Sequence, residues 1–306
     1  MKSRSRVTAT AVSLVFCLAL ALAGCSPAAS SGSAAGSSTG SSTGSSDVGA
    51  STGVAVSETI VSFRQSLGSG LPATQTIGDH DFDGDGTDDD VTVTIDTDAV
   101  TIEIEGASRW QMTSDTTFDG YCLKYLCTSD GHPLIYVSAR GDNADGIYAL
   151  VGWQHGGFDT IADADDIPEE YCAGHRYMGK VRTFGEAVTV GYEPMTITAG
   201  TVRATFSYVW NDDDGAFELD SDSARVRKTS AGHSDEWLTI RRGVTLPDGT
   251  EVAAGDEVRV YKMRFSADTL EFMLQTRNGT LGWIDALTED DELADVTLFK
   301  ETSLAG

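Results

Sequence analysis

The sequence predicts an all-β protein, and three observations lead to that prediction. Apolar and polar residues alternate over Val91–Ile95 and Val100–Ile104, on either side of an acidic turn, which is typical of a hairpin. Apolar runs at 134–137 and 147–151, and at 202–210 and 216–219, flank further loops rich in Asp, Asn and Gly. Helical spacing is scarce, and its best example is Ser57 to Leu67.

The charge balance narrows the class of partner. The chain has 306 residues with 21 Lys and Arg against 47 Asp and Glu, a formal charge of −26. Such a chain lacks the positive field that neutralises phosphates, so we expect no nucleic-acid partner. It suits cationic partners instead, and its length is that of two domains.

The first 24 residues predict an export signal. Lys2, Arg4 and Arg6 precede an uncharged, mostly apolar run from Val7 to Ala23, which is too short for a stable membrane span. The run ends in Leu22-Ala23-Gly24-Cys25, which resembles the lipobox of bacterial lipoproteins. That resemblance implies cleavage before Cys25, acylation of Cys25 and an extracytoplasmic protein anchored to the cell membrane. Losing residues 1–24 leaves 18 basic residues against 47 acidic ones, a formal charge of −29.

Residues 26–56 predict a disordered tether. This segment is almost entirely Ser, Gly, Ala and Thr, and it cannot bury enough apolar surface to offset chain entropy. Random-coil scaling gives it a typical reach of roughly 30 Å. We therefore expect the folded part of the chain to be held away from the membrane.

Three cysteines remain after export, Cys122, Cys127 and Cys172. An oxidising compartment favours one disulfide among them, and the sequence does not say which pair forms. The alternative is a zinc site that adds His175, although the spacing is not that of a standard zinc pair.

An acidic loop is the most specific motif of the folded part. From Asp81 to Asp89 it reads D-x-D-x-D-G-x-x-D, and Gly86 stands where a sharp turn is needed. Carboxylates so close together would repel without a counter-ion, so the pattern predicts a structural calcium site. The expected ligands are Asp81, Asp83, Asp85, the Thr87 carbonyl and Asp89.

Two alternatives to this assignment stay open. A second register would start at Asp79 and use Asp81, Asp83 and Asp90. The loop is also compatible with an ordinary acidic turn. An EF-hand is disfavoured, because position 12 is Thr92 and a strand rather than a helix follows.

The loop resembles the FG-GAP/VCBS repeats of integrin-like β-propellers, in which a hydrophobic strand follows a D-x-D-G-D-G-x-x-D loop. Asp81, Asp83, Asp85 and Asp89 fall on the ligand positions of that family. Only one full motif is present, and about 155 residues are too few for seven blades of about 40–50 residues. The resemblance therefore implies a small or incomplete propeller-like domain over residues 57–230.

The last part of the chain, residues 231–306, resembles a bacterial SH3-like barrel. The resemblance rests on Gly255-Asp256-Glu257-Val258-Arg259-Val260, a middle strand near 270–275 and the terminal Gly282-Trp283-Ile284. It implies a module that faces cell wall or a surface protein, with Trp283 either in the core or facing the ligand.

The sequence favours a binding protein over an enzyme. It carries no nucleophile elbow, zinc-protease helix, phosphate loop or dinucleotide fingerprint. We expect a calcium-stabilised lipoprotein of unknown ligand. The alternative is a hydrolase of wall glycans or peptides, which predicts two carboxyl groups about 5–10 Å apart with raised pKa. A transport-type receptor would need parallel α/β halves, which the scarcity of helices disfavours.

Overall fold

The structure is a computed structural model that describes residues 63–65, 71–141, 145–229, 232–233, 237–286 and 298–301. The predicted export signal, Cys25 and the predicted tether lie outside the described residues. Within the described part, the protein is all-β, as predicted from the sequence, and two 3-10 turns, Ala164–Asp166 and Glu169–Tyr171, are its helical elements.

Two sheets come from the first half of the chain. The central sheet has the order β1-β6-β7-β8-β9, and the first sheet is the antiparallel meander β2-β3-β4-β5. In chain order the strands are β1 (Phe63–Gln65), β2 (Ala73–His80), β3 (Asp89–Ile95), β4 (Ala99–Ile104), β5 (Ser108–Thr113), β6 (Gly120–Cys127), β7 (Pro133–Arg140), β8 (Gly146–Gln154) and β9 (Gly157–Asp163). The predicted hairpins β3–β4 and β7–β8 are confirmed.

The third sheet has the order β10-β11-β12-β14-β19-β20-β21. Its strands are β10 (Cys172–Phe184), β11 (Ala187–Thr196), β12 (Gly200–Asn211), β13 (Ala216–Leu219), β14 (Ser223–Thr229), β15 (Gly232–His233), β16 (Leu238–Thr239), β19 (Glu257–Ser266), β20 (Thr269–Thr276) and β21 (Leu281–Asp285). Strand β13 pairs with β12, β15 with β14 and β16 with β19. Strands β17 (Val244–Thr245) and β18 (Glu251–Val252) pair with each other in a separate sheet. The predicted hairpin β12–β13 is confirmed.

The central sheet is buried on both faces, which explains the continuous apolar runs of β7 and β8. Leu134 and Tyr136 contribute to a core shared with the third sheet, whereas their neighbours Ile135 and Val137 contribute to a core shared with the first sheet. The indole N–H of Trp110 on β5 donates to the Thr160 hydroxyl on β9 at 2.9 Å, which ties the first sheet to the central one.

The predicted helix and the predicted barrel differ from the described structure. Phe63–Gln65 is not helical, because its backbone pairs antiparallel with β6. Among the described residues no sheet closes into a barrel: β19, β20 and β21 instead extend the sheet of β10–β14. The boundary predicted near residue 230 lies within that sheet, since β14 pairs both with β12 and with β19.

Candidate functional site

The acidic loop connects β2 to β3, and buried aromatic packing holds its base. His80 and Asp89 are paired where the two strands meet the loop. Phe82 is only 3% exposed, and its ring meets those of Tyr125 and Phe158 edge-on at 5.8 Å. The His80 ring stacks on Tyr125 at 4.0 Å. One apolar residue inside an acidic motif thus anchors the loop to the central sheet.

The loop curls around the carboxylate of Asp81. One oxygen accepts a hydrogen bond from the Gly84 N–H at 2.7 Å, and the other accepts from the Gly86 N–H at 2.9 Å. Both glycines have positive φ, 78° and 90°, a backbone conformation that other residues rarely adopt. Gly86, at the predicted turn position, therefore allows the sharp turn that the motif requires.

Three carboxylates converge inside the curl. Oxygens of Asp81, Asp83 and Asp89 all lie within 4.8 Å of one another, and the three side chains are half-buried. One Asp89 oxygen accepts from the Phe82 N–H at 2.7 Å and from the Asp83 N–H at 3.2 Å. Hard carboxylate oxygens at this spacing suit a divalent cation such as Ca²⁺. We call these three residues the aspartate triad.

Two of the predicted ligands lie outside the aspartate triad. The Asp85 carboxylate accepts hydrogen bonds from the N–H and the hydroxyl of Thr87, and these bonds lower its pKa. Both residues are exposed. The structure thus brings together three of the four predicted carboxylates, all from the register that starts at Asp81. Asp90, from the alternative register, is exposed on β3.

The three cysteines among the described residues, Cys122, Cys127 and Cys172, are free. Cys122 and Cys127 lie five residues apart on β6, so their side chains point to opposite faces and their Cα atoms are roughly 16 Å apart. A disulfide needs about 4–7 Å, and a zinc set needs its thiols on one side. Among the described residues the aspartate triad is the group that could hold a metal, and the Cys/His set is not assembled.

Trp283 lies on β21, opposite Met273 of β20, and belongs to neither hydrophobic core. The Arg264 guanidinium lies 4.3 Å from the centre of its ring. The aromatic residue predicted to be either core or ligand-facing is therefore half-exposed on the outer side of the third sheet.

One polar cluster, at the connection between β9 and β10, was not predicted from the sequence. Asp163 caps the turn Ala164–Asp166, accepting from the N–H groups of Asp165 and Asp166 at 2.8 and 3.0 Å. Asp166 accepts from the Asp163 N–H at 3.1 Å and from the Tyr192 hydroxyl at 2.5 Å. The D-x-x-D spacing of a capping box was the available signal.

Burial dominates the electrostatics of this cluster. Desolvation, together with the nearby charges of Asp166 and Asp165, raises the pKa of Asp163 to about 7. Burial also raises the pKa of Asp166, although the hydrogen bond from Tyr192 opposes it. The pKa of Tyr192 itself is raised by burial and by the nearby Tyr208 and Asp166.

No helix among the described residues has the length and apolar character to cross a membrane. Comparison of the chain with protein-family models, with curated proteins and with solved structures found no match.

Proposed function

We propose that this chain is an extracytoplasmic lipoprotein, anchored through Cys25, whose β-sheet domain binds an envelope component and is stabilised by calcium. The aspartate triad is the observation that carries the calcium part of the proposal. The lipobox-like Leu22-Ala23-Gly24-Cys25 and the Ser/Gly-rich segment after it carry the location.

The arrangement of the first two sheets supports a propeller-like assignment for residues 57–230. The aspartate triad lies in the first connection of a four-stranded meander, and one face of the central sheet packs against that meander. A hydrophobic strand, β3, follows the loop directly. The SH3-like assignment for residues 231–306 rests on the sequence pattern alone.

A calcium titration tests the metal. We expect Ca²⁺ to bind residues 25–306 in a calorimeter and to raise the thermal midpoint, because a ligand about a hundredfold above its Kd adds about 2.7 kcal/mol. Asp83→Asn should abolish both effects. Asp88→Asn, which removes an exposed charge from the same loop but not from the triad, is the control.

Equal calcium affinity in the two variants would refute the triad as the site. An unchanged midpoint in the presence of a chelator would refute structural calcium altogether.

Membrane fractionation tests the anchor. We expect Cys25→Ser to release the protein from membranes, since no acyl chain is then added. Continued retention of the variant would contradict lipidation at Cys25.

The hydrolase alternative requires two carboxyl groups with raised pKa that are free to act on a substrate. Asp163 and Asp166 have raised pKa. However, the Asp163 carboxylate accepts from two backbone N–H groups of its own turn, and Asp166 accepts from Asp163 and Tyr192. This pattern is that of a structural cap, so we favour binding over hydrolysis.

A further inference from the structure

The outer side of β14, β19, β20 and β21 is rich in basic residues, although the protein as a whole is strongly acidic. Val258, Val260, Phe272 and Leu274 point to the core from these strands, and the residues between them point outward. The outward cations of these strands are Arg225, Arg227, Arg259, Lys262 and Arg264, and a sixth cation, Arg277, lies in the turn that follows β20. We call this surface the arginine face.

Aromatic rings lie among these cations. The Arg277 guanidinium lies 4.0 Å from the centre of the Trp237 ring, and Arg264 lies 4.3 Å from that of Trp283. Arg259 approaches Trp237 and Tyr261 at 5.7 and 5.5 Å. None of the three aromatic residues belongs to a hydrophobic core. Tyr261 on β19 and Trp283 on β21 are half-exposed, as is Trp237 just before β16, so aromatic rings and guanidinium groups share this face.

Side-chain hydrogen bonds fix the guanidinium groups in place. Arg264 donates two hydrogen bonds to Glu271, at 2.7 and 3.1 Å, and Arg259 donates to Gln275 at 2.5 Å. A guanidinium has five N–H donors, so Arg264 keeps donors for a ligand after its two bonds to Glu271 are made. A side chain that is already held loses less entropy when it binds.

The local charge of the arginine face differs in sign from that of the chain. Four carboxylates, Asp222, Glu257, Glu271 and Asp285, accompany the six cations, whereas the whole sequence has a formal charge of −26. At physiological salt, exposed charges beyond about 8 Å are largely screened. An anionic ligand lying on this face therefore meets a net positive surface.

The side chains favour a glycan over a membrane as the occupant. Of the large hydrophobic residues that are exposed among the described residues, only Leu281 is on β21, while Phe184 and Leu219 are on other strands. A docking bilayer would need several protruding apolar groups. A glycan suits this surface instead, because carboxylates accept hydrogen bonds from sugar hydroxyls, arginines bind anionic groups and aromatic rings pack against the faces of sugar rings.

We propose that the arginine face binds an acidic polysaccharide, with its carboxylate or phosphate groups on the arginines and its sugar rings against Trp237 and Trp283. This inference rests on the proposed function, since it names the class of ligand that the exported binding protein takes. The polysaccharide-binding assay requires neither lipidation nor calcium. A negative result in this assay therefore would not contradict the calcium site or the lipid anchor.

The test uses residues 25–306 with Cys25→Ser, titrated with polygalacturonate and with phosphorylated dextran. The first polymer carries carboxylates and the second carries phosphates, so the two distinguish the kind of anion that is recognised. Methyl-esterified polygalacturonate and plain dextran are the corresponding uncharged controls. We expect Arg225→Gln/Arg227→Gln to weaken binding of the preferred polymer about tenfold, the value of one charge-assisted hydrogen bond. Arg109→Gln/Arg182→Gln, which removes two exposed charges elsewhere, should leave the affinity unchanged.

Trp283→Leu tests the contribution of ring stacking to the binding affinity separately from that of charge, because it removes the aromatic ring and leaves the arginines in place. It should weaken binding to the acidic polysaccharide but not to poly-L-glutamate, which has no sugar ring. Equal thermal midpoints establish that each variant is folded. The proposal is overturned by equal affinity of the two arginine pairs, by absence of binding to both acidic polymers, or by equally tight binding to poly-L-glutamate or phosphatidylglycerol vesicles.

Discussion

The hydroxyl of Tyr192 on β11 donates a hydrogen bond to the Asp166 carboxylate at 2.5 Å, which ties the third sheet to the turn that leads into it from the central sheet. Because Tyr192 has a single proton to donate, its 2.8 Å contact with the Tyr208 hydroxyl must be donated by Tyr208. The two tyrosines are 1% and 5% exposed. The half-buried Asp166 carboxylate thus accepts from Tyr192, whose own hydroxyl accepts from Tyr208.

Removing the middle group of this hydrogen-bonded series should destabilise the protein. Tyr192→Phe keeps the ring but leaves Asp166 without its phenolic donor and the Tyr208 hydroxyl without its acceptor. The expected loss is about 1–3 kcal/mol in the free energy of unfolding, measured by denaturant titration. Tyr261→Phe on the outer side of β19 is the matched control and should change the free energy little. Equal losses in the two variants would contradict a special role for the buried network.

Asp163 should make stability depend on pH. Its pKa is raised from 3.8 to about 7 in the folded protein, so folding takes up a proton between these values. The stability that Asp163 contributes is therefore complete below about pH 4 and is lost as the pH rises through 7. Asp163→Asn keeps an oxygen that accepts hydrogen bonds and removes the charge.

We expect Asp163→Asn to exceed the unsubstituted protein in unfolding free energy by about 1–3 kcal/mol at pH 8, with the difference shrinking as the pH falls to 4. Denaturant titrations at several pH values measure this difference. The exposed Asp115→Asn supplies the control. A difference that did not change with pH would show that Asp163 titrates normally.

Phe82 should contribute most of the packing energy of the acidic loop. Phe82→Ala removes a ring that is 3% exposed and leaves a cavity beside Tyr125 and Phe158, at an expected cost of about 3–5 kcal/mol. Phe184, at the end of β10, is 83% exposed. The same substitution there should change the thermal midpoint very little, and similar shifts at both positions would contradict the assigned anchor.

The sequence predicted those elements whose signal is local. Alternation fixes which residues of β3 and β4 face the core, and D-x-D-x-D-G-x-x-D brings three carboxylates together because its glycines allow the curl. Asp85 departs from the pattern because Thr87, two residues away, supplies it with hydrogen bonds.

Long-range features could not be predicted in this way. Residues 57–67 have helical spacing, yet Phe63–Gln65 is a strand, because pairing with β6 outweighs local preference. Tyr192 and Asp166 are 26 residues apart, and no local pattern joins them. The pairing of β14 with β19 likewise crosses the predicted domain boundary.

The three thiols of the folded part should stay free. Residues 25–306 with Cys25→Ser contain only Cys122, Cys127 and Cys172, so a thiol titration in denaturant without reductant should count three. Burial raises the pKa of Cys172 to about 11, against a weaker opposing effect of Arg176. Because the thiolate is the nucleophile, Cys172 in the folded protein should react about a hundredfold more slowly at neutral pH than an exposed thiol. A prior treatment with reductant should not change the denatured count, and a rise from one to three would reveal a disulfide that the structure does not contain.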